Sequence, residues 1–374
     1  MKIAHVVTLV DRSGSYGGPV AVARGQCEEL ARRGHDVTLF AGWDGAATLQ
    51  SPDVSSRLFR ARKVVPVSGF SALSAPAMIG ALIRELPSFD VVHVHLARDL
   101  VVLPAALLTM RGRVALLVQT HGMVRPDGRR LARVIDAVAT GRVLAGAAAC
   151  CALTAEEARG LERLGVPAAR IRQLGNGVPP QSRRAAWAEI PRIVYCARLH
   201  RRKRPVAFVE AAAEVLARGH RATFALYGPD EGELGAVDAA IHALGVSDSV
   251  SYEGPVEPAR VLDVLAAAQV YVLPSVDEPF PMSLLEAMSL GLPSITTDSV
   301  GIKEQLMTSG GAIVTDASVG SLADAVVRVI TDAAGWERAA QAAVTAVADH
   351  FSVARVVTEL ASLYGDAISE KPRR

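Results

Sequence analysis

The chain has 374 residues, 50% of them apolar and 5% aromatic, with 40 Lys and Arg against 38 Asp and Glu. That length exceeds one comfortable core and suits two domains of ordinary size, packed largely by Ala, Val and Leu. Charges that nearly cancel give no general case for a nucleic-acid partner, and the apolar content excludes an extended disordered chain.

In chain order, MKIAHVVTLV is too short an apolar run for a signal peptide, lacks a small-residue cleavage site, and reads as a first strand. DRSGSYGGP (11–19) follows it, before a helix expected to open at Pro19. Gly17 and Gly18 would let the backbone approach a ligand at that helix N-terminus, although the spacing G-x-x-G-G is not the dinucleotide fingerprint and a flexible turn reads equally well. VAVARGQCEELARRG is helical up to Gly34, and ALSAPAMIGALIREL is a further helix. DVTLFAG, DVVHVHL, VALLVQT and AAACCAL read as strands. Two Arg-rich runs, 57–65 and 125–134, read as solvated basic faces, with peripheral contact to lipid headgroups as the alternative. Cys27, Cys150, Cys151 and Cys196 show no metal-ligand spacing and point to small buried hydrophobes in a reducing cytoplasm. The longest mainly apolar region, 134–153, is interrupted by Asp136 and Arg142, so no membrane span is expected. TAEEARGLERLG opens with Thr154 and Glu157 at capping-box spacing and closes at Gly165.

Continuous Val/Ile/Leu strands separated by helices imply a parallel sheet covered on both faces. The pattern restarts after a Pro- and Arg-rich linker at 176–191. RIVYCAR, ATFALYG, SVSYEG, VYVLPS and PSITT then build a second doubly wound sheet. Domains are expected at 1–180 and 190–350, with a helix at about 352–374 packing back on the first. Trp336, Phe351 and Tyr364 are the expected anchors of the helical tail. Two such sheets predict a cleft at their C-terminal strand ends, where open α/β sheets bind ligands.

Two strand-end loops carry chemistry. In CARLHRRKRP (196–205), the fork of Arg198 and the point charge of Lys203 suit a diphosphate, with a solvated basic turn as the bland reading. In EPFPMSLLEAM (278–288), Glu278 precedes a helix expected to open at Pro281, Glu286 lies inside it, and Gly291 and Pro293 close it. Leu284, Leu285 and Met288 form its core face. Carboxylates beside a helix N-terminus that favours an anion would accept hydrogen bonds from hydroxyls flanking it, as in a nucleotide sugar. Two solvent-facing glutamates are the alternative.

The stretch E-P-F-P-M-S-L-L-E-A-M-S-L-G-L-P resembles the E-x7-E segment of retaining glycosyltransferases of family 4, which have the two-domain GT-B fold. ARLHRRK is similar to that family's Arg/Lys diphosphate site, YGPDEG to its strand-end glycine, and SYGGPVAVARGQCEELARRGHDVTLF to its glycine-rich loop, first helix and second strand. GNGV matches its interdomain N-G-V, and the likeness runs from residue 2 to about 365. The resemblance implies an α/β protein of two Rossmann-like domains facing across a cleft. It further implies retaining transfer of a sugar from a UDP- or GDP-linked donor to a hydroxyl of a saccharide, lipid-linked or small-molecule acceptor.

By the same resemblance Glu286 binds the donor ribose, Glu278 a hydroxyl of the sugar, and Arg198 and Lys203 the diphosphate. Gly17 and Gly18 approach the donor phosphate or the acceptor, and Val256 meets the base. His121, in QTHG, lies near the reacting sugar, with a structural histidine as its alternative. The family usually has glycine where this chain has Pro281, which has no N–H, so the amides of Phe280, Met282 and Ser283 are left to the donor. Pro179 likewise stands where an acidic residue is common. No Asp-x-Asp cluster is placed to hold a metal on the diphosphate, so no metal and no cofactor is expected. The expected location is the cytoplasm or the inner face of the membrane. The rivals are a non-transferring GT-B relative, such as a nucleotide-sugar 2-epimerase, and a bilobed binding protein without chemistry.

Overall fold

The computed structural model describes residues 1–11, 17–47, 51–64, 71–112, 114–126 and 130–370. They form two units, Met1–Gly177 with Val353 onward, and Val178–Ser352.

The strands of the first unit are β1 (Lys2–Val10), β2 (Asp36–Trp43), β3 (Ser55–Arg60), β4 (Arg62–Lys63), β5 (Leu73–Ser74), β6 (Val91–His95), β7 (Ala115–Gln119), β8 (Ala149–Ala152) and β9 (Ile171–Gln173). Seven of them make a parallel sheet in the order β3-β2-β1-β6-β7-β8-β9, and β4 and β5 pair separately. The expected strands all form. The Arg-rich run from 57 begins as edge strand β3, whose exposed Arg57 and Arg60 discourage further pairing.

Side chains alternate across this sheet. Ala4, Val6, Val92, Val94, Leu116 and Val118 pack on one side, and Ile3, Val7, Val91 and Leu117 on the other. The second side is covered by helix Gly17–Arg32, which opens two residues before the expected Pro19, and by helix Val353–Ser369. That last helix buries Val353, Val356, Val357, Leu360, Tyr364 and Ala367, the 3.6-residue stripe that turns one face to a core.

The second unit holds β10 (Arg192–Cys196), β11 (Thr223–Tyr227), β12 (Val250–Gly254), β13 (Val270–Leu273), β14 (Ser294–Thr297) and β15 (Ile313–Thr315). They form a parallel sheet ordered β12-β11-β10-β13-β14-β15. The chain leaves β10 toward β11 and later returns to β13 on the other side. This reversal opens a crevice beyond the carboxyl ends of β10 and β13, flanked by the two loops that carry Arg198, Lys203 and Glu278. Trp336 and Phe351 are buried in this unit. The four cysteines are free and buried, and burial pushes the Cys150, Cys151 and Cys196 thiols up to about 12. No helix among the described residues is long and apolar enough to cross a membrane.

Candidate active site

The loop after β10 is held from below by a glycine. Gly228 has φ 140°, and a Cβ there would lie 2.0 Å from the Ala197 carbonyl oxygen, so only glycine lets the two backbones pass. Leu199 N–H donates to Pro229 O at 2.8 Å and Glu231 N–H to Leu199 O at 3.0 Å, fixing the loop. Arg198 stands exposed and meets both oxygens of Glu231 at 2.8 Å. The Lys203 ammonium donates to the Glu278 carboxylate. With side chains 16% and 15% exposed, that pair is screened far less than Arg198–Glu231 at 49% and 31%. Backbone contacts lace the same two loops. Val276 N–H donates to Arg202 O at 2.8 Å, and the Arg202 guanidinium donates to Asp277 O.

Helix Met282–Ser289 starts one residue later than expected. Pro281 is its N-cap, with φ −80° and ψ 90°, because the ring's fixed φ fits the residue before the helix as well as its first position. The Pro281 carbonyl accepts from Leu285 N–H at 3.3 Å. In this first turn the amides of Met282 and Ser283 have no acceptor within the helix. The Ser283 hydroxyl is paired with Tyr271 Oη at 2.7 Å. Phe280 is buried and packs edge-on against Phe351, leaving its backbone as the group it offers. Leu284, Leu285 and Met288 are fully buried, and Gly291 ends the helix at φ 69°, both as expected.

Glu286 lies just over one turn inside. Burial raises its carboxyl pKa to about 7, and among the described residues it makes no side-chain hydrogen bond or ion pair. Val256 is partly exposed on the loop after β12, an edge strand separated from β10 by β11, and is not joined to the Lys203–Glu278 pair.

In the first unit Gly17 and Gly18 open the first helix, and residues 12–16 of their loop lie outside the described residues. A Cβ at Gly18 would meet nothing within 4 Å, so no atom of the described residues demands glycine there. His121 follows β7 with φ 50°. Glu157 clamps its flanks: one carboxylate oxygen accepts from Thr120 Oγ1 and Gly122 N–H, each at 2.5 Å, and the other from Leu153 N–H at 2.7 Å. This modifies the expected capping box. Thr154 accepts from Glu157 N–H at 3.2 Å, but the Glu157 side chain bonds the preceding amide and the His121 loop instead of the cap's own N–H. The His121 ring stacks on His95, with Nε2 2.7 Å from His95 Nδ1, and burial pushes its pKa down to about 3.

Backbone strain marks the same places. Among the described residues the non-glycine positions with positive φ are His121 (50°), Arg204 (51°) and Asp277 (53°). Each is a candidate residue or adjoins one, and each costs on the order of 1–3 kcal/mol unless its surroundings hold it. Arg204 is held by its guanidinium on Ala317 O at 2.7 Å, and Asp277 by its N–H on Ser299 Oγ at 2.7 Å.

His5, His93 and His95, to which the sequence alone assigns no role, are buried on one side of the first sheet and linked to His121. Their signal was present as polar rings inside strands read as buried. A surface cavity of about 490 Å³ lined by Asp136, Thr140, Arg142 and Arg163 contains none of the candidate residues.

Comparison with known proteins matches residues 17–177 to the glycosyl transferase 4-like domain and residues 190–332 to glycosyl transferases group 1. The D-inositol 3-phosphate glycosyltransferase of Nocardia farcinica is 29% identical, across 96% of this chain and 86% of its own. The structure of Anabaena HepE in complex with UDP superposes with a TM-score of 0.75 at 16% identity, covering 98% of this chain and 100% of that one. A TarM variant of S. aureus superposes with a TM-score of 0.75 at 10% identity, covering 97% and 100%. At such identities the two structures speak for the fold.

Proposed function

Since the chain belongs to the glycosyltransferases and has their GT-B fold, we propose that it moves a sugar from a UDP- or GDP-linked donor to an acceptor hydroxyl, with net retention and without a metal. The observation that carries this reading is the Lys203–Glu278 pair at the strand-order reversal of the second unit, beside a helix that holds Glu286 with no side-chain partner among the described residues. Glu286 accepts from the ribose hydroxyls. Arg198, Lys203 and the amides of Met282 and Ser283 take the diphosphate, whose charge grows as the glycosidic bond breaks.

The exposed Arg198–Glu231 pair is worth about 0–1 kcal/mol, so an arriving phosphate displaces Glu231 readily. Lys203 is a tighter case: it turns from Glu278 toward phosphate, and Glu278 is then free to accept from a sugar hydroxyl. In the first unit Gly17, Gly18 and His121 serve the sugar and the acceptor. The acceptor attacks on the face from which the nucleotide departs, the leaving phosphate helps to take its proton, and no protein nucleophile is assigned. Positive side chains and a helix N-terminus thereby supply the charge that a bound cation supplies in other transferases.

The Nocardia farcinica relative and both matched domain families are named for glycosyl transfer, and neither epimerisation nor binding without chemistry is favoured. The test incubates the protein with UDP- and GDP-sugars and a panel of acceptors, reads product configuration by NMR, and repeats the assay with EDTA. Transfer with retention that survives chelation is expected. An inverted product, or activity lost to EDTA and restored by Mg²⁺ or Mn²⁺, would sink the mechanism.

A further inference from the structure

Parallel pairing of β1 with β6 sets His5 directly opposite His93. His95 follows two residues along β6, opposite Gln119 of β7, and His121 comes two residues after Gln119. The period of two along each strand puts these rings on one side of the sheet, the side covered by helix Val353–Ser369. They are joined in a continuous row. His93 Nδ1 lies 2.8 Å from Tyr364 Oη, and Tyr364 Oη lies 3.0 Å from His5 Nε2. His5 Nδ1 lies 3.1 Å from His95 Nε2, and His95 Nδ1 lies 2.7 Å from His121 Nε2. The inner end is closed, since His93 Nε2 is buried with no partner among the described residues. At the outer end, His121 Nδ1 makes no hydrogen bond among the described residues.

Burial holds all four rings in their neutral form and the phenol in its protonated form. A neutral imidazole has one donor and one acceptor nitrogen, and each link of the row needs one hydrogen. Fixing one link among His5, His95 and His121 therefore fixes the others. Three arrangements satisfy all four links: hydrogen on every Nε2; hydrogen on Nε2 of His5, His95 and His121 with the phenol oxygen accepting from both His5 and His93; or hydrogen on every Nδ1. The first leaves a buried N–H at His93 Nε2 with no acceptor and the second leaves the buried phenol hydrogen with none, a kind of defect that folded proteins rarely keep. The third leaves only a lone pair at His93 Nε2.

We propose that His5, His93, His95 and Tyr364 act as one positioning unit that holds His121 with its hydrogen on Nδ1, so that the ring offers an N–H donor to a substrate oxygen at the strand end. The substrate part of this statement rests on the function proposed above; the shared tautomer does not. His121 is then a fixed neutral donor, unable to act as a general base through Nδ1.

The same three strand histidines each offer a ring nitrogen within 4.8 Å of the others, the spacing of a metal site. A divalent ion would have to separate His5 from His95. It would also bring two positive charges into the core with no carboxylate in the group. The hydrogen-bonded row uses the same atoms without charge.

The experiment is two-bond ¹H–¹⁵N correlation NMR on the full chain labelled with ¹⁵N-histidine, with His121 assigned through His121→Gln. All four rings are expected neutral and in the Nδ1–H form between pH 6 and 8. In His95→Asn, whose amide stands near the place of the ring's Nδ1 and can turn either its oxygen or its NH₂ to His121 Nε2, the link to the rest of the row is cut and His121 is expected to show both tautomers. Turnover should fall about twofold, with the KM for the nucleotide sugar unchanged, as about half the rings then face substrate with the wrong nitrogen. Mixed tautomers in the wild-type row, hydrogen on Nε2 throughout, an unchanged His121 spectrum in His95→Asn, or stoichiometric Zn²⁺ uptake that removes the row's signals would each overturn the proposal. The two readings fail separately. A uniform row in a protein that transfers no sugar upholds the positioning unit and refutes the function, whereas mixed tautomers in an active transferase do the reverse.

Discussion

Glu286 carries a group that titrates near neutrality because burial alone opposes its charge. Its pKa rises from 4.5 to about 7 on folding, so the folded protein keeps a proton that the unfolded chain releases between those values. Its contribution to stability is therefore full below the unfolded value and is lost as pH climbs through 7. Donor binding should run the other way, since the ionised carboxylate is the stronger acceptor for two ribose hydroxyls. Nucleotide affinity measured by calorimetry should rise up to about tenfold from pH 6 to 8 in wild type and stay low and flat in Glu286→Gln. A flat wild-type profile would remove Glu286 from the ribose. For Lys203, two effects need separating. Lys203→Ala should cost about 1–3 kcal/mol in stability by leaving Glu278 partly buried without its partner, and should depress turnover strongly. Adding Glu278→Ala should restore the melting temperature while turnover stays low. Recovery of turnover in the double variant would reduce the pair to a structural role.

At the level of elements, the loop after β10 that carries Arg198 and Lys203 depends on a close crossing that admits no side chain. Gly228→Ala should displace the Ala197 backbone, lower the melting temperature by several degrees, and weaken nucleotide binding more than a substitution at Gly18, which faces open space. Equal effects at the two glycines would show that the crossing does not set the Arg198 loop. Helix Met282–Ser289 was legible in the sequence because its stop signal, Gly291, and its core stripe are local. Its start was misjudged by one residue because proline's φ serves both positions. The Lys203–Glu278 pair was not legible as a contact. Its members lie 75 residues apart, and only the adjacency of β10 and β13 brings them together. The histidine row was hidden for a related reason: strands were recognised by their Val, Leu and Ile content, and the register that aligns His5 with His93 is a property of two strands at once. Strands β3, β9 and β15 escaped because they are short or carry polar side chains at sheet edges.

For the whole molecule, the helical tail was expected, and its burial into the first unit is extensive. A chain ending at Ser352 would uncover Val91, Leu117 and the ring row, which the apolar stripe of that helix covers. We expect that shortened protein to lose the melting transition of its first unit and to bind a hydrophobic dye, while residues 178–352 keep a cooperative transition. An unchanged first transition would show that the helix is dispensable. The arrangement also sets an order of events during synthesis. Residues 2–177 leave the ribosome well before residues 353–369, with all of the second unit made in between. Until that helix arrives, the part of this face formed by β6 and β7 remains open to water. The unit that starts first is therefore the one that finishes last, and a pause or premature stop near residue 350 strands a half-covered sheet that chaperones must shield.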